Sequence, residues 1–171
     1  GDSIVSMIVR NTATNEVETV SLKGNSEILW TSTGNWDASQ FVDYLMFGMS
    51  PLLGGSVRVV PSSVLSSMGR IKSQTPGIDF PADSFFDVFV EVQLPSPGAL
   101  HNCSPIRING VINAPPMPVG TVHETDPGTS IPLLDANGIP TDYVIESFRH
   151  TFGPWSDSYS ILESHAVTGV V

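Results

Sequence analysis

The longest alternation of apolar and polar residues lies in the middle of the chain. From Phe86 onward every even-numbered position is apolar, whereas Asp87, Glu91 and Gln93 occupy odd-numbered positions. Successive side chains of a β-strand point to opposite faces, so the pattern is typical of a strand with one buried and one mostly solvated face. Residues 80–95 therefore predict a β-strand whose even-numbered face belongs to a core.

The segment 3–9 is apolar on both faces of a predicted strand. One face carries Ile4 and Ile8, and the other carries Val5, Met7 and Val9. A strand of this kind needs cover on both sides. Either it is a central strand of its own domain, or it completes the sheet of a neighbouring molecule.

Other stretches rich in β-formers are bounded by Gly, Pro, Asn and Asp, which terminate strands. They predict further strands at 16–22, 27–31, 56–60, 105–113, 131–134, 143–152 and 159–171. The turn at 23–26 predicts a hairpin between the first two of these, and Asn137-Gly138 predicts another. The spacing of Ile145, Phe148 and Phe152 would also fit a helix over 143–152, but a strand is preferred there because the segment follows a predicted hairpin turn. Gly110, on the inner row of its strand, indicates a bulge or a close approach of two backbones, or else a hairpin turn with Asn109.

Two segments favour helices instead. Phe41, Tyr44, Leu45 and Gly48 recur at helical spacing, which predicts a helix of about three turns over residues 38–47. The segment 61–69 predicts one or two further helical turns.

Many short strands divided by Pro and Gly turns predict a mainly β protein. The expected architecture is an antiparallel β-sandwich or jelly-roll-like barrel with one or two short helices. Residues 1–171 predict a single β-rich domain, in which residues 1–10 could be an exchanged or docking strand.

The charge of the chain limits its partners. Seventeen acidic and seven basic residues give a formal net charge of −10, which repels phosphate backbones and predicts no nucleic-acid partner. No apolar run reaches the length of about eighteen residues that a membrane helix needs, so no membrane insertion is expected. The chain starts with Gly1 rather than methionine, as a processed chain would, and we expect a secreted or cell-surface protein.

No catalytic, metal or cofactor motif of high specificity is present, so the sequence predicts no catalytic residues, no metal ligands and no cofactor. Asp87 and Glu91 share a strand face about 13 Å apart, beyond the roughly 5 to 9.5 Å of paired glycosidase carboxylates, and are expected to be solvated surface charges. His101 and Cys103 could share a face, but a thiolate–imidazole pair needs direct contact and an orienting group, so Cys103 is expected to be a small buried residue.

The remaining polar candidates have ordinary structural explanations. His123, His150 and His165 lack metal-ligand spacing, so any metal site would have to be assembled by the fold. Asp135, Asn137 and Asp142 form a weak match to an oxygen-ligand calcium loop, against which a hairpin turn is favoured because Asn-Gly adopts it without an ion. Asn102-Cys103-Ser104 matches a glycosylation sequon.

One part of the chain resembles a known group of sequences. Residues 80–92 (FPADSFFDVFVEV), followed by Leu100-His101-Asn102 and Pro105-Ile106-Arg107-Ile108, are similar to a pattern in uncharacterised secreted bacterial β-domains. The resemblance covers about the middle third of the chain. It implies an exported or surface β-domain and assigns no catalytic residues.

These observations favour a non-enzymatic extracellular structural protein that self-associates as a filament, matrix or surface-layer subunit. Its expected partner is itself, as a homo-oligomer or homopolymer. The candidate assembly strand consists of Ile4, Val5, Met7, Ile8 and Val9.

Two alternatives remain open from the sequence. The first is a carbohydrate-binding or accessory β-sandwich module, with a glycan stacked on some of Trp30, Trp36, Tyr44, Trp155 and Tyr159. The second is a hydrolase assembled from Asp, Glu and His residues in the mouth of a barrel.

Overall fold

A computed structural model describes residues 2–32, 38–96, 98–114, 118–153, 160–163 and 167–170. These residues form one sheet of 14 strands, and the described part of the chain contains no helix. The first seven strands are β1 Asp2–Asn11, β2 Val17–Ser32, β3 Ala38–Ser50, β4 Gly55–Pro61, β5 Ser67–Thr75, β6 Ile78–Val88 and β7 Val90–Gln93. The others are β8 Ala99–His101, β9 Ile106–Ile112, β10 Val122–Glu124, β11 Ile131–Leu134, β12 Pro140–Phe152, β13 Ser160–Glu163 and β14 Val167–Val170.

The sheet closes into an antiparallel barrel of eight strand positions. Strands β12, β1, β2 and β3 each fill one position, and pairing of β12 with β1 closes the ring. Strand β14 pairs with β2 beyond the end of β1, and β13 pairs with β14. Each of the other four positions is shared by two strands that follow each other along the chain. The pairs that share a position are β4 with β5, β6 with β7, β8 with β9, and β10 with β11.

The shared positions divide this part of the wall into two halves along the barrel. One half consists of β4, β7, β8 and β11, and its buried inner side chains are all aliphatic, so we call it the aliphatic half. They are Val57, Val59, Val90, Val92, Leu100 and Leu133. The other half consists of β5, β6, β9 and β10 and includes the buried polar residues Ser84 and His123, so we call it the histidine half.

Between β6 and β7, at Phe89, the two halves of the wall meet. Side chains there form hydrogen bonds with backbone N–H and carbonyl groups. The Phe89 N–H donates to Ser67 Oγ over 2.9 Å, and the Tyr44 hydroxyl donates to the Phe89 carbonyl. The buried Asn102 amide accepts from the Val90 N–H at 2.8 Å and donates to the Val88 carbonyl at 3.0 Å. Asn102 therefore serves as a structural bridge, and its side chain is 1% exposed.

The structure corrects the predicted sandwich and both predicted helices. The sheet is a closed barrel, and residues 38–47 lie in strand β3. Burial alternates along this strand as in any β-strand, since Tyr44 and Met46 are buried whereas Phe47 and Met49 are exposed. Residues 62–66 are a turn rather than helical turns, and β5 follows at once.

The predicted hairpin at 23–26 is also wrong, because β2 runs through it without interruption. Gly24 faces the neighbouring strand β3, where a Cβ would stand 1.9 Å from the Leu45 carbonyl oxygen. Gly48, which belonged to the predicted helical spacing, allows the same approach from β3, since a Cβ on it would lie 2.4 Å from the Ser21 oxygen. These glycines permit close strand packing rather than turns.

Several strand predictions are confirmed. The even face of 80–95 is the core face, with Phe86, Val90 and Val92 fully buried. β11 and β12 form the predicted hairpin, and residues 143–152 are a strand. Gly110 keeps the register of β9, and it marks a close approach, since a Cβ would lie 2.3 Å from the Val122 oxygen.

Strand β1 is a central strand of its own barrel. It pairs with β12 on one edge and with β2 on the other, which leaves no free edge to donate. Val5, Met7 and Val9 point into the core with no exposed surface, and Ile4 on the outer face is 42% exposed. The predicted exchange of residues 1–10 between molecules is therefore replaced by pairing within one chain.

Candidate functional site

A groove of about 770 Å³ lies on the outer face of the histidine half, across β5, β6 and β9. We call it the outer groove. Its floor is strand backbone, including that of Ile71 and Ser84, whose side chains point inward and are buried. It is lined by Arg70, Ile71, Lys72, Asp83, Ser84, Phe85, Asn109, Gly110 and Val111.

Strand register arranges the outward side chains of the groove in two rows. Arg70, Phe85 and Asn109 stand opposite one another on β5, β6 and β9. Lys72, Asp83 and Val111 form the next row. Directly opposite residues on one face of a sheet have Cβ atoms about 4.5 to 5.5 Å apart, so each row brings a cation beside an apolar group or a carboxylate.

An ion pair at the edge of the groove fixes its aromatic ring. Arg107 donates to both carboxylate oxygens of Asp87 at 2.7 Å, and its guanidinium lies 4.2 Å from the centroid of Phe85. The Asp87 carboxylate raises the pKa of Arg107, chiefly through this hydrogen bonding. Phe85 is partly exposed, and the Arg107 guanidinium packs against its ring in a cation–π contact.

Three of the seven Lys and Arg residues of the chain lie on this face: Arg70, Lys72 and Arg107. The carboxylates of β6 equal them in number: Asp79, Asp83 and Asp87. The lining of the groove itself carries Arg70 and Lys72 against Asp83. Asp83 accepts a hydrogen bond from Gln74 at 2.8 Å, and no ion pair joins Arg70 or Lys72 to a side chain among the described residues.

Two buried histidines lie inside the barrel behind the groove floor. His123 and His150 stand opposite each other on β10 and β12, and we call them the histidine pair. Nε2 of His123 lies 3.0 Å from Ser84 Oγ. Nε2 of His150 lies 2.9 Å from Ser3 Oγ and 3.3 Å from Ser26 Oγ.

Both histidines are neutral in the folded protein. Burial lowers the pKa of His123 to about 4. Burial, followed by the nearby His123, lowers the pKa of His150 to about 3. A neutral imidazole offers one donor and one acceptor, and the serine hydroxyls engage Nε2 of each ring without placing a charge in the core.

The described interior beside the histidine pair is packed. A cavity of about 10 Å³ lies between Tyr44, Met46, Val88, Phe148 and His150. This is close to the smallest volume that holds one water molecule. This cavity beside His150 is too small for an organic substrate, and the outer groove is the better candidate site among the described residues.

His101, Cys103 and Glu91 line a separate surface cleft of about 400 Å³. The structure brings them to one face, yet no hydrogen bond joins His101 to Cys103 among the described residues. Cys103 is exposed, so the prediction of a buried cysteine is wrong. Its neighbour Asn102 is buried instead, because the alternation of β8 continues past its end, so that Asn102 points inward like Leu100 and Cys103 points outward like His101.

The other sequence candidates have structural roles. Asp87 is paired with Arg107, and Glu91 lies on the outer face, so they act as separate surface charges. Asp135 Oδ1 accepts the N–H groups of Asn137 and Ile139 at 2.9 and 3.0 Å, as expected of a turn. In the described ranges, no group of three or more His, Cys, Asp or Glu side chains could hold a metal ion.

The aromatic platform is not assembled from the residues that can be placed. Tyr44 is buried in the barrel, where its hydroxyl bonds the Phe89 carbonyl. Trp36, Trp155 and Tyr159 lie outside the described residues.

Sequence reasoning missed the groove and the histidine pair. Strand β5 was not predicted, because it offers only Ile71 as an apolar inward residue between Gly69 and Ser73. The positions of the histidines carried a weak signal, since His150 alternates in phase with Phe148 and Phe152. The two histidines are adjacent because β10 pairs with β12, and this pairing cannot be predicted from the local sequence of either strand.

Comparison with known proteins gives one informative result. No protein-family model matches this chain. No curated protein matches it either. The fold is similar to the solved structure of DynF from the dynemicin biosynthesis pathway of Micromonospora chersina, with a TM-score of 0.77 and 20% sequence identity over 92% of this chain and 80% of that one.

This similarity corrects the predicted function. The barrel has the fold of a protein from a biosynthesis pathway, which contradicts a filament, matrix or surface-layer subunit built by self-assembly. Strand β1, the proposed donor, is already paired on both edges. The sandwich architecture of the carbohydrate-binding alternative is wrong as well, because the sheet is a closed barrel, whereas glycan binding itself stays a prediction.

Other predictions remain as they stood. The resemblance to secreted bacterial domains, the secreted or cell-surface location, the homo-oligomer and the exclusion of nucleic acid stay predictions. Within the described residues, no helix has the length and apolar character to cross a bilayer.

Proposed function

We propose that this protein binds a small organic molecule in the outer groove. The observation that carries the proposal is a concave site of about 770 Å³ with both apolar and charged walls. Pockets for small molecules typically measure about 300 to 1,000 Å³ and combine apolar surface with a few placed polar groups. Phe85 and Val111 supply the apolar surface here, and Arg70, Lys72 and Asn109 supply polar groups.

The fold similarity to a protein of a biosynthesis pathway supports a role with small molecules. We propose binding rather than catalysis at this groove, since its lining contains no histidine or cysteine and only one carboxylate, Asp83. That carboxylate is held by Gln74. A general acid or base would need to be free to reach the substrate.

Titration with the neutral fluorescent probe N-phenylnaphthylamine tests the proposal. We expect saturable binding that Val111→Asp weakens about tenfold, because a carboxylate replaces apolar wall. Amide chemical-shift changes in the wild-type protein should centre on residues 70–72, 83–85 and 109–111.

Met49→Asp is the matched control. Met49 is an apolar residue on the outer wall, 66% exposed and on β3 rather than in the groove. Its replacement should leave the affinity unchanged. Absence of saturable binding, or equal losses in the two variants, would overturn the proposed site.

A further inference from the structure

We infer that the ligand of the outer groove is a flat apolar molecule that carries a single anionic group, such as a carboxylate, and that Arg70 and Lys72 hold this group. The inference rests on the proposed function and names the chemical class that the groove selects. It is argued from the charges, the strand register and the fixed aromatic ring of the groove.

The first argument is the distribution of charge. An acidic chain repels anions over long distances, so an anion is held at this face only by cations that it contacts. The lining of the outer groove carries two cations, Arg70 and Lys72, and one carboxylate, Asp83. Outside that lining, Asp87 pairs with Arg107, and Asp79 adds another exposed carboxylate on β6. Arg70 and Lys72 stand in adjacent rows on β5 and point to the same side of the strand.

The cations of this face differ in whether a carboxylate already binds them. Arg107 is bound through two hydrogen bonds to Asp87, so its charge is compensated. Asp83 stands opposite Lys72 in the register, but its carboxylate accepts from Gln74 instead. Arg70 stands opposite Phe85, which offers no hydrogen-bond acceptor. Arg70 and Lys72 are therefore the cations to which an incoming anion would bind.

Phe85 and Val111 form the apolar surface of the groove beside these cations. The Arg107 guanidinium packs at 4.2 Å from the Phe85 centroid and holds the ring in place. Val111 is 44% exposed and stands in the row beside that of Phe85. A rigid ring beside an exposed valine presents a flat apolar surface next to the two cations, which suits an aromatic body bearing one anionic group.

Two probes of similar shape separate charge from apolar contact. Anilinonaphthalene sulfonate carries an anion on an arylamine body, and N-phenylnaphthylamine is its neutral counterpart. At low salt we expect the anionic probe to bind about tenfold more tightly than the neutral one. Raising the salt concentration from about 0.01 to about 1 M, which shortens the screening length from about 30 to about 3 Å, should remove most of that preference.

Charge-removing variants identify the residues. Arg70→Gln and Lys72→Gln should each weaken the anionic probe about threefold and the double variant about tenfold, as expected for partly exposed charge pairs. The neutral probe should be unaffected. Arg58→Gln is the matched control, because Arg58 also lies near an aromatic ring, 5.9 Å from the Phe47 centroid, yet stands on β4 outside the groove.

A gain of affinity gives a test that impaired folding could not imitate. Asp87→Asn releases Arg107 from its carboxylate and adds a positive charge beside Phe85, so the anionic probe should bind about twofold more tightly.

The outcomes distinguish the two proposals. Equal affinity for both probes, or losses for Arg58→Gln as large as those for Arg70→Gln, would overturn the anion inference and leave binding in the groove intact. Failure of both probes to bind would overturn the proposed function together with this inference.

Discussion

The two halves of the barrel wall both bury their inner side chains, but the chemistry of these side chains differs. The aliphatic half fills its interior with valine and leucine, whereas the histidine half buries Ser84 and His123 behind a cationic outer groove. Within the described residues the inner side chains of both halves are buried, so the difference is one of chemistry rather than of burial. It shows that one continuous sheet can keep ionised groups on its outer face and neutral polar groups on its inner face.

The backbone of β6 links the two faces of the histidine half. Ser84 lines the groove with its backbone, while its hydroxyl lies 3.0 Å from Nε2 of His123 inside. A change of protonation within the barrel therefore occurs one strand thickness from the ligand site. The predictions that follow test whether stability, pH response and charge are divided between the halves in this way.

The largest expected effect comes from a cavity in the aliphatic half. Leu100 on β8 is 2% exposed, so Leu100→Ala should lower the free energy of unfolding by about 2 to 5 kcal/mol. Denaturant titration at several pH values measures it. The pH dependence of stability should stay as in the wild type, and a changed dependence would argue against a division between the halves.

The second effect is the response of the histidine half to acid. The pKa values of His123 and His150, about 4 and 3, lie below the value of about 6.5 in an unfolded chain. The unfolded state therefore binds more protons as the pH falls, so stability is complete above about pH 6.5 and is lost progressively below it. We expect a loss of about 3 kcal/mol or more by pH 4.5, measured by urea unfolding.

Replacement of one histidine should reduce this acid response. His123→Asn removes one of the two proton-linked groups, so the slope of stability against pH should fall by about half. His101→Asn, on the outer wall, is the matched control. A wild-type slope in His123→Asn would show that other groups cause the acid loss.

A third, smaller effect tests how tightly the histidine pair is enclosed. A Cβ on Gly110 would lie 2.3 Å from the Val122 oxygen and 3.0 Å from Cγ of His123. Gly110→Ala should therefore destabilise the protein by about 1 to 3 kcal/mol. Val111→Ala, the next residue on the outer face, should cost less than about 0.5 kcal/mol. Equal costs would mean that β9 and β10 can separate freely.

The smallest effect concerns the surface ion pair. Asp87→Asn removes the partner of Arg107, whose side chain is 54% exposed, so the unfolding free energy should change by less than about 1 kcal/mol. Thermal unfolding of this variant against the wild type checks it. A loss of several kcal/mol would make the pair a structural element rather than a surface contact.

Strands could be predicted from the sequence where apolar and polar residues alternate along the chain. Residues 80–95 alternate cleanly, and their inward face was predicted correctly. Residues 38–47 were mistaken for a helix because apolar residues occur on both faces of β3, with Phe47 54% exposed and Met46 buried. Glycines were misread for a related reason, since Gly24 and Gly48 allow strands to approach and mark no turn.

The candidate site was beyond sequence reasoning for a different reason. Arg70 and Phe85 are ordinary residues on separate strands, and their opposition arises only from the pairing of β5 with β6. His123 and His150 meet because β10 follows β12 in the ring. Sites assembled by register across a closed sheet leave no spacing rule in the linear sequence, in contrast to the hairpin at Asn137-Gly138.

The pairing of β1 with β12 has a consequence for the order of folding. Around the ring, nearly every other pairing joins strands that are close in the chain, whereas this one brings residues 2–11 against 143–152. Closing so long a loop costs more chain entropy than forming a hairpin, so this seam should form late and limit the folding rate. Joining the two strands covalently through a circular permutation, with new ends in the turn 62–66, should accelerate refolding.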